Sequence, residues 1–481
     1  MASPLTLLSF NAHFSKPPQI PFASSFPRQG ELNINVMLNN HRKLVSCLAL
    51  DQTDQNKSSP NPAGAPDNLR IVFAAGGSGG HISPAVAIAD ELKTINPKIE
   101  VIFVGTKAGM ESSTIPSSGH YFVSIAASPL SRPILSFKNL ILPYHLVKSM
   151  IETWRVLTEF DPHIVVGTGG YVSAPVCFAA AIRGLRVVIQ EQNSVPGIAN
   201  WVISSFADLV FVAFPSSVKY FGKNKCVVVT GNPIRLSLRK NVSKAVARLQ
   251  FFPRVRKNWD SEAKVVLFLG GSLGADAINI AVLNMYHQLL LEDKNVFIIW
   301  QTGVRTFDEM ESLVKSHPHL YKAQSLAVEC LFSQRTDSGM TLSETSGSMA
   351  AGASENQFLY TMDLAYAAAD LVVSRAGAMT CSEILATGKP SILIPSPNVA
   401  EGHQLKNAYI MAEIAGSKVI TEDELDSSTL RTAVEEVLDD ASLMAEMCDK
   451  ALKAARPDAA AEIARHIISL GQLLTGKKKG R

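Results

Sequence analysis

Cysteine is scarce in this chain of 481 residues: there are six, and no two form a C-x-x-C pair. Cys47, Cys177, Cys226, Cys330, Cys381 and Cys448 are scattered. That argues against a disulfide framework or a zinc site and for a reducing compartment. Net charge is also nearly lacking, at +3, and no interleaved aromatic and basic residues offer a nucleic-acid surface. No stretch approaches the roughly 18–20 uninterrupted apolar residues of a membrane-crossing helix. There is no Asp-x-Asp pair, so a metal-held pyrophosphate is not indicated and no cofactor is required. No glycine turn is followed by the Lys-Ser/Thr of a P-loop. None has the dinucleotide spacing either, and the second strand, Val101–Thr106, ends without the acidic residue that fingerprint needs.

What is present describes a folded protein, 47% hydrophobic and 18% charged, long enough for two domains with added segments. Residues 1–67 stand apart. They are rich in Ser, Pro and Asn, carry Lys16, Arg28, Arg42 and Lys43, and have one acid, Glu31, before Asp51. This composition resembles a chloroplast transit peptide more than a secretory signal, with a plain extension as the alternative. Pro60, Pro62, Gly64 and Pro66 mark the linker that ends it.

From Leu69 onward, apolar strands alternate with helix-length intervals, the pattern of parallel sheets covered on both faces. Strands are expected at Arg70–Ala75, Val101–Val104, Ile164–Gly167, Val187–Gln190, Leu209–Val212 and Val227–Thr230. Gly231-Asn232-Pro233 interrupts the series. It restarts at Lys264–Leu269 and continues at Val296–Gln301, Leu371–Ser374, Ser391–Pro395 and Lys418–Ile420. The fold class is therefore α/β, with two doubly wound domains facing a cleft. The expected division is 68–235 and 236–481, with 323–357, polar and Ser/Gly-rich, as an insertion in the second.

Each domain opens with a strand and a glycine turn. Residues 75–90 read AGGSGGHISPAVAIAD. The glycines allow close backbone approach, Pro84 suits a first helical turn, and the helix is expected over Ala85–Leu92. His81 then lies near a helix N-terminus, where outward N–H groups favour anionic or electron-rich partners. The second turn, GGSLGA at 270–275, is its counterpart. Two such turns facing one cleft suit a sugar nucleotide, with pyrophosphate at one helix N-terminus and acceptor at the other.

Six ordered stretches carry a resemblance: AGGSGGHISPAVAIA, GTGGYVSAP (167–175), EQNSVPGIAN (191–200), GNPIR (231–235), GGSLGA, and the run from Ser374 to Ala408. From about Arg70 to the C-terminus they resemble the MurG family of glycosyltransferases. The resemblance implies a GT-B fold, two Rossmann-like domains with the active site between them. It implies transfer of N-acetylglucosamine from UDP-N-acetylglucosamine to the C4 hydroxyl of a lipid-linked N-acetylmuramoyl-peptide, with inversion. His81 becomes the candidate general base, as an imidazole near neutral pKa accepts a hydroxyl proton. Ser78, Gly79 and Gly80 would offer backbone donors. Asn193 would contact the transferred sugar, with Gln192 suited to its hydroxyls.

In the second domain the resemblance gives Ser272 and Arg235 to the pyrophosphate, and Ala378, Met379 and Thr380 as backbone groups against the diphosphate. Leu359 would meet uracil, Glu383 would accept both ribose hydroxyls, and Gln404 would read the sugar. His403 stands where some relatives have Gln, which leaves its role open. The lipid-borne acceptor implies peripheral membrane contact, and Ser128–Met150, an apolar stretch with Arg132, Lys138 and Lys148, suits an anionic bilayer; a buried helix is the alternative. With the leader, this implies a chloroplast protein at a membrane face of the inner envelope or stroma. Two rivals remain: a plastid enzyme that galactosylates diacylglycerol, and a non-catalytic scaffold that keeps the fold.

Overall fold

The structure, a computed structural model, describes residues 69–129, 137–223, 225–239, 242–253, 262–271, 273–293, 295–314, 317–323, 361–399 and 402–478. The expected leader and, beyond Ala323, the expected insertion lie outside them.

The first lobe is a seven-stranded parallel sheet in the order β3-β2-β1-β4-β5-β6-β7. Its strands are β1 (Arg70–Ala74), β2 (Glu100–Gly105), β3 (Tyr121–Ser124), β4 (Ile164–Gly167), β5 (Arg186–Glu191), β6 (Leu209–Val212) and β7 (Val227–Val229). Helices α1 (Gly79–Ile95), α2 (Glu111–Ser117), α3 (Leu142–Phe160), α4 (Gly170–Ile182) and α5 (Ile198–Ile203) connect them. Alternation along each strand sends side chains to opposite faces. Ile71 and Phe73 enter one core with Ile88 and Leu92 of α1. Val72 and Ala74 enter the other with Val172 and Val176 of α4.

The second lobe repeats the plan with six parallel strands in the order β10-β9-β8-β11-β12-β13. They are β8 (Lys264–Leu269), β9 (Val296–Gln301), β10 (Leu320–Ala323), β11 (Leu371–Ser374), β12 (Ser391–Leu393) and β13 (Lys418–Val419). Around them lie α6 (Lys244–Phe251), α7 (Asp276–Glu292), α8 (Phe307–Leu313), α9 (Thr361–Ala368), α10 (Ala378–Thr387), α11 (His403–Ala415), α12 (Ser427–Asp439) and α13 (Ala441–Ala454). Val265, Leu267 and Leu269 face one core; Val266 and Phe268 face the other.

Three expectations need correction. The edge strands β3 and β10 were not foreseen. Neither sits between two covered faces, so neither carries a continuous apolar run. Helix α1 begins at Gly79 rather than around Pro84, so Pro84 lies inside the helix, and His81, near the N-terminus as expected, belongs to its first turn. The chain end does not stay with the second lobe: in α14 (Ala459–Lys478), Ile463, Ala464, Ile467, Ile468 and Leu470 pack into the first-lobe core beside Leu69 and Ile71. Their i, i+4, i+7 spacing marks an amphipathic helix, but spacing alone does not say which sheet it covers.

In both sheets the order reverses at the centre, between β1 and β4 and between β8 and β11. Loops leaving adjacent strands diverge at such a point and open a crevice at the strand C-termini. The glycine turns and the SRAGAMT stretch are those four loops.

Candidate active site

The two loops at the first switch point interlock. Gly170 has φ of +79°, and a Cβ built there would lie 2.1 Å from the Gly76 carbonyl oxygen. Gly169, at φ +102°, would bring a Cβ within 2.7 Å of His81 Nδ1. Only glycine fits either position. Beneath them Glu111, fully buried, accepts from Thr106 N–H at 2.9 Å, Thr106 Oγ1 at 2.6 Å and Gly77 N–H at 3.3 Å. That carboxylate ties the first glycine loop to the end of β2. Ser78 is the helix N-cap residue; its carbonyl accepts from His81 N–H at 3.0 Å and Ile82 N–H at 3.2 Å. Ser78 and Gly80 are exposed, and Gly79 is half-buried.

His81 is half-buried. Its Nδ1 lies 3.0 Å from the Thr168 carbonyl oxygen and 3.2 Å from Gln192 Oε1. Burial pushes its pKa down; the hydrogen bonds to Gln192 and Thr168 oppose that shift, and His403 adds to it. His403 begins α11, so an ionisable group of the second lobe acts on the imidazole of the first.

The EQNS loop is fixed by a buried acid. Glu191 accepts from Asn193 N–H at 2.9 Å, Gly197 N–H at 3.1 Å and Asn200 Nδ2 at 2.9 Å. Burial raises its pKa and these donors counter the rise. Asn193 Oδ1 also accepts from Asn407 Nδ2 of α11 at 3.5 Å, and Asn407 Oδ1 accepts from Ser194 N–H at 3.3 Å. The loop expected to meet sugar is thus tied to the opposite lobe.

In the second lobe, Ala378, Met379 and Thr380 form the first turn of α10, after the extended N-cap Gly377. Glu383 follows one turn on. It is nearly buried; its Oε2 accepts from Tyr366 OH at 3.1 Å, and Arg235 Nε approaches Oε1 at 4.0 Å. Burial raises the Glu383 pKa, and Arg235 and then Tyr366 lower it. Arg235 Nε also reaches Ser83 Oγ of α1 at 3.5 Å. Gln404 Oε1 accepts from Ser396 N–H at 2.9 Å, which sets the amide at the start of α11. Ser272 and Leu359 lie outside the described residues. Among the described residues, no group of three or more His, Cys, Asp or Glu side chains is arranged to hold a metal ion.

Residues 71–212 match the family model "Glycosyltransferase family 28 N-terminal domain" and residues 342–463 the corresponding C-terminal domain. Over 400 residues the chain is 36% identical to the UDP-N-acetylglucosamine--N-acetylmuramyl-(pentapeptide) pyrophosphoryl-undecaprenol N-acetylglucosamine transferase of Salinibacter ruber, covering 83% of this chain and 96% of the relative. The equivalent protein of Caldanaerobacter subterraneus is 37% identical, over 82% and 98%. The crystal structure of Acinetobacter baumannii MurG matches with a TM-score of 0.56 at 25% identity, covering 84% of this chain and 99% of that one. The chain belongs to the MurG family. It is a glycosyltransferase with the GT-B fold.

Most of the described candidates fall at strand C-termini and helix N-termini of the two lobes, while Glu383 lies one turn into α10 and Arg235 in the crossing between the lobes. Gln192 departs from its expected role. It is buried and turned to His81 rather than presented to sugar hydroxyls. Residues the sequence did not single out complete the site: Thr168, Gln190, Asn232, Tyr366, Asn407 and the supporting Glu111. Thr168, Asn232 and Asn407 stood inside quoted motifs, and that was their only signal.

Proposed function

We propose that this chain transfers N-acetylglucosamine from UDP-N-acetylglucosamine to the C4 hydroxyl of a lipid-linked N-acetylmuramoyl-peptide, the step from lipid I to lipid II. The observation that carries the reading is His81, with Nδ1 engaged by two acceptor oxygens at the first-lobe switch point. That arrangement leaves Nε2 to take the hydroxyl proton. The oxygen so released attacks the anomeric carbon as the bond to the diphosphate oxygen breaks, and UDP departs toward the α10 N-terminus. Its N–H groups and dipole favour an anionic leaving group. The bacterial relatives are named for this transfer.

Glu383 suits the ribose diol, and its link to Arg235 keeps an acid tolerable beside an anionic donor. A peripheral membrane role draws support from α3. Its inward residues are Ser149, Thr153 and Leu157. Leu140, Tyr144, Val147, Ile151 and Trp154 form an exposed stripe at helical spacing, with Phe137 88% exposed at its start. An apolar face with exposed Lys148 and Arg155 beside it suits an anionic lipid surface. No helix among the described residues is long and apolar enough to cross a membrane. The leader adds a plastid location to the proposal, tested by import of a reporter fused to residues 1–67. The test of function is transfer of labelled sugar to a lipid I analogue, with UDP-galactose and diacylglycerol as the rival pair.

A further inference from the structure

A chain of buried amides runs from His81 across the lobe boundary to α10. Asn232, in the GNPIR crossing between lobes, donates from Nδ2 to the Gln192 carbonyl at 3.1 Å, the Ala378 carbonyl at 3.3 Å and Ser382 Oγ at 3.0 Å. Two of these are backbone carbonyls, which only accept. Ser382 Oγ spends its proton on the Ala378 carbonyl. The Asn232 amide therefore has one orientation, and its Oδ1 accepts from Gln190 Nε2 at 3.1 Å. Gln190 Oε1 then faces Gln192 Nε2, which also donates to the Thr168 carbonyl at 2.7 Å. That turns Gln192 Oε1 toward His81 Nδ1. Each amide fixes the next, because a buried carbonyl opposite a carbonyl costs the desolvation of both.

We propose that Gln192 is a positioning residue for the transfer reaction: with Gln190 and Asn232 it holds His81 as the Nδ1–H tautomer and leaves Nε2 unprotonated toward the acceptor hydroxyl. The Thr168 carbonyl, an acceptor with no alternative, demands the same tautomer. After proton transfer the imidazolium keeps both acceptors at Nδ1, so the array stabilises the charge that forms. Against the ring, Gly169 and Gly170 contribute no charge. The ionisable group acting on it is His403 from α11, whose protonation opposes that of His81. The array also spans the two lobes, joining the base to the first turn of α10, where the diphosphate is proposed to sit.

The reading of His81 as base rests on the proposed function, so two independent readouts are needed. The first is nitrogen-15 NMR of histidine-labelled protein without substrate, with the His81 signals assigned by their loss in His81→Ala. The expected result is a protonated Nδ1 and a pyridine-like Nε2 in the neutral ring. The second is kinetics of Gln192→Met, which removes the acceptor at similar volume. One lost hydrogen bond to a developing cation predicts a kcat about tenfold lower, with KM for UDP-N-acetylglucosamine unchanged. The acid limb of the pH profile moves to lower pH, since an acceptor that favours the charged form is gone. A structural role alone would not move that limb. An Nε2–H tautomer in the wild type overturns the proposal, as does a Gln192→Met enzyme with wild-type kcat and an unmoved limb. If that variant does not fold, the wild-type tautomer still decides. Absence of any transfer by the wild type overturns the proposed function instead, and the spectrum still reads the tautomer.

Discussion

Replacing Gly170 by alanine tests how the site is assembled. A Cβ at this position lies 2.1 Å from the Gly76 carbonyl oxygen, and φ is +79°. Two costs add. A left-handed backbone costs an alanine about 1–2 kcal/mol, and forcing apart two packed backbone segments costs about 1–3 kcal/mol more. The first cost is separable. Gly184 has φ of +71° and nothing within 4 Å of where a Cβ would stand, and Gly119 at +78° is equally open. Gly184→Ala and Gly119→Ala therefore report the backbone cost, and the excess in Gly170→Ala reports the contact between the glycine loops. Urea unfolding of the three variants, with m-values compared, should place Gly170→Ala about 2 kcal/mol below the controls. Activity should fall in Gly170→Ala well beyond the controls, because the loop that yields carries His81. Equal destabilisation of all three variants would refute close contact between the loops and the assembly built on it.

Four further outcomes follow from individual residues. Burial holds the His81 pKa below the ordinary imidazole value of 6.5, so the base stays neutral to lower pH. The acid limb of kcat/KM should lie below that of an unperturbed histidine, and a limb above it would contradict the site. Because the depressed pKa belongs to the folded state, the contribution of His81 to stability is present above its unfolded pKa. That contribution declines as pH falls through this value toward the folded one, which urea midpoints across that range would read. Arg248 is buried with Asp370, at 2.5 Å, and donates to the Ala368 carbonyl at 3.2 Å. Arg248→Met should cost about 3 kcal/mol by stranding part of a buried carboxylate, with KM for the donor unchanged in the folded fraction. Leu140, Tyr144 and Val147 are exposed, so serine at all three should leave thermal unfolding unchanged. Binding to anionic vesicles should drop at least about tenfold, from roughly 1.5–3 kcal/mol of burial per side chain, while transfer to a short-chain acceptor persists. Equal vesicle binding would rule out this face as the membrane contact.

Much of the fold was legible because both sheets are parallel and covered on two faces. Runs such as Ile164–Gly167 and Leu209–Val212 are fully buried and read as unbroken apolar segments. The edge strands lacked that signal, and α14 carried a helical period without an address. Glycine runs announced the switch-point loops, but not that Gly169 and Gly170 are required by His81 and the Gly76 carbonyl. Motif matching located His81, Asn193 and Glu383. It could not orient Gln192, because its amide direction follows from Thr168 and Asn232, 24 and 40 positions away, as well as from the neighbouring Gln190. The same holds for Glu111, whose value lies in a backbone N–H donated by Gly77 across 34 positions.

The central claim is transfer of N-acetylglucosamine to a muramoyl acceptor with His81 as the base. Single-turnover transfer from labelled UDP-N-acetylglucosamine to a short-chain lipid I analogue tests it most directly, in wild type and His81→Ala side by side. The account predicts transfer by the wild type and a loss of about 10²–10⁴-fold in the variant, with donor binding retained. Undiminished transfer by His81→Ala, or galactosyl transfer to diacylglycerol in place of lipid I glycosylation, would contradict it.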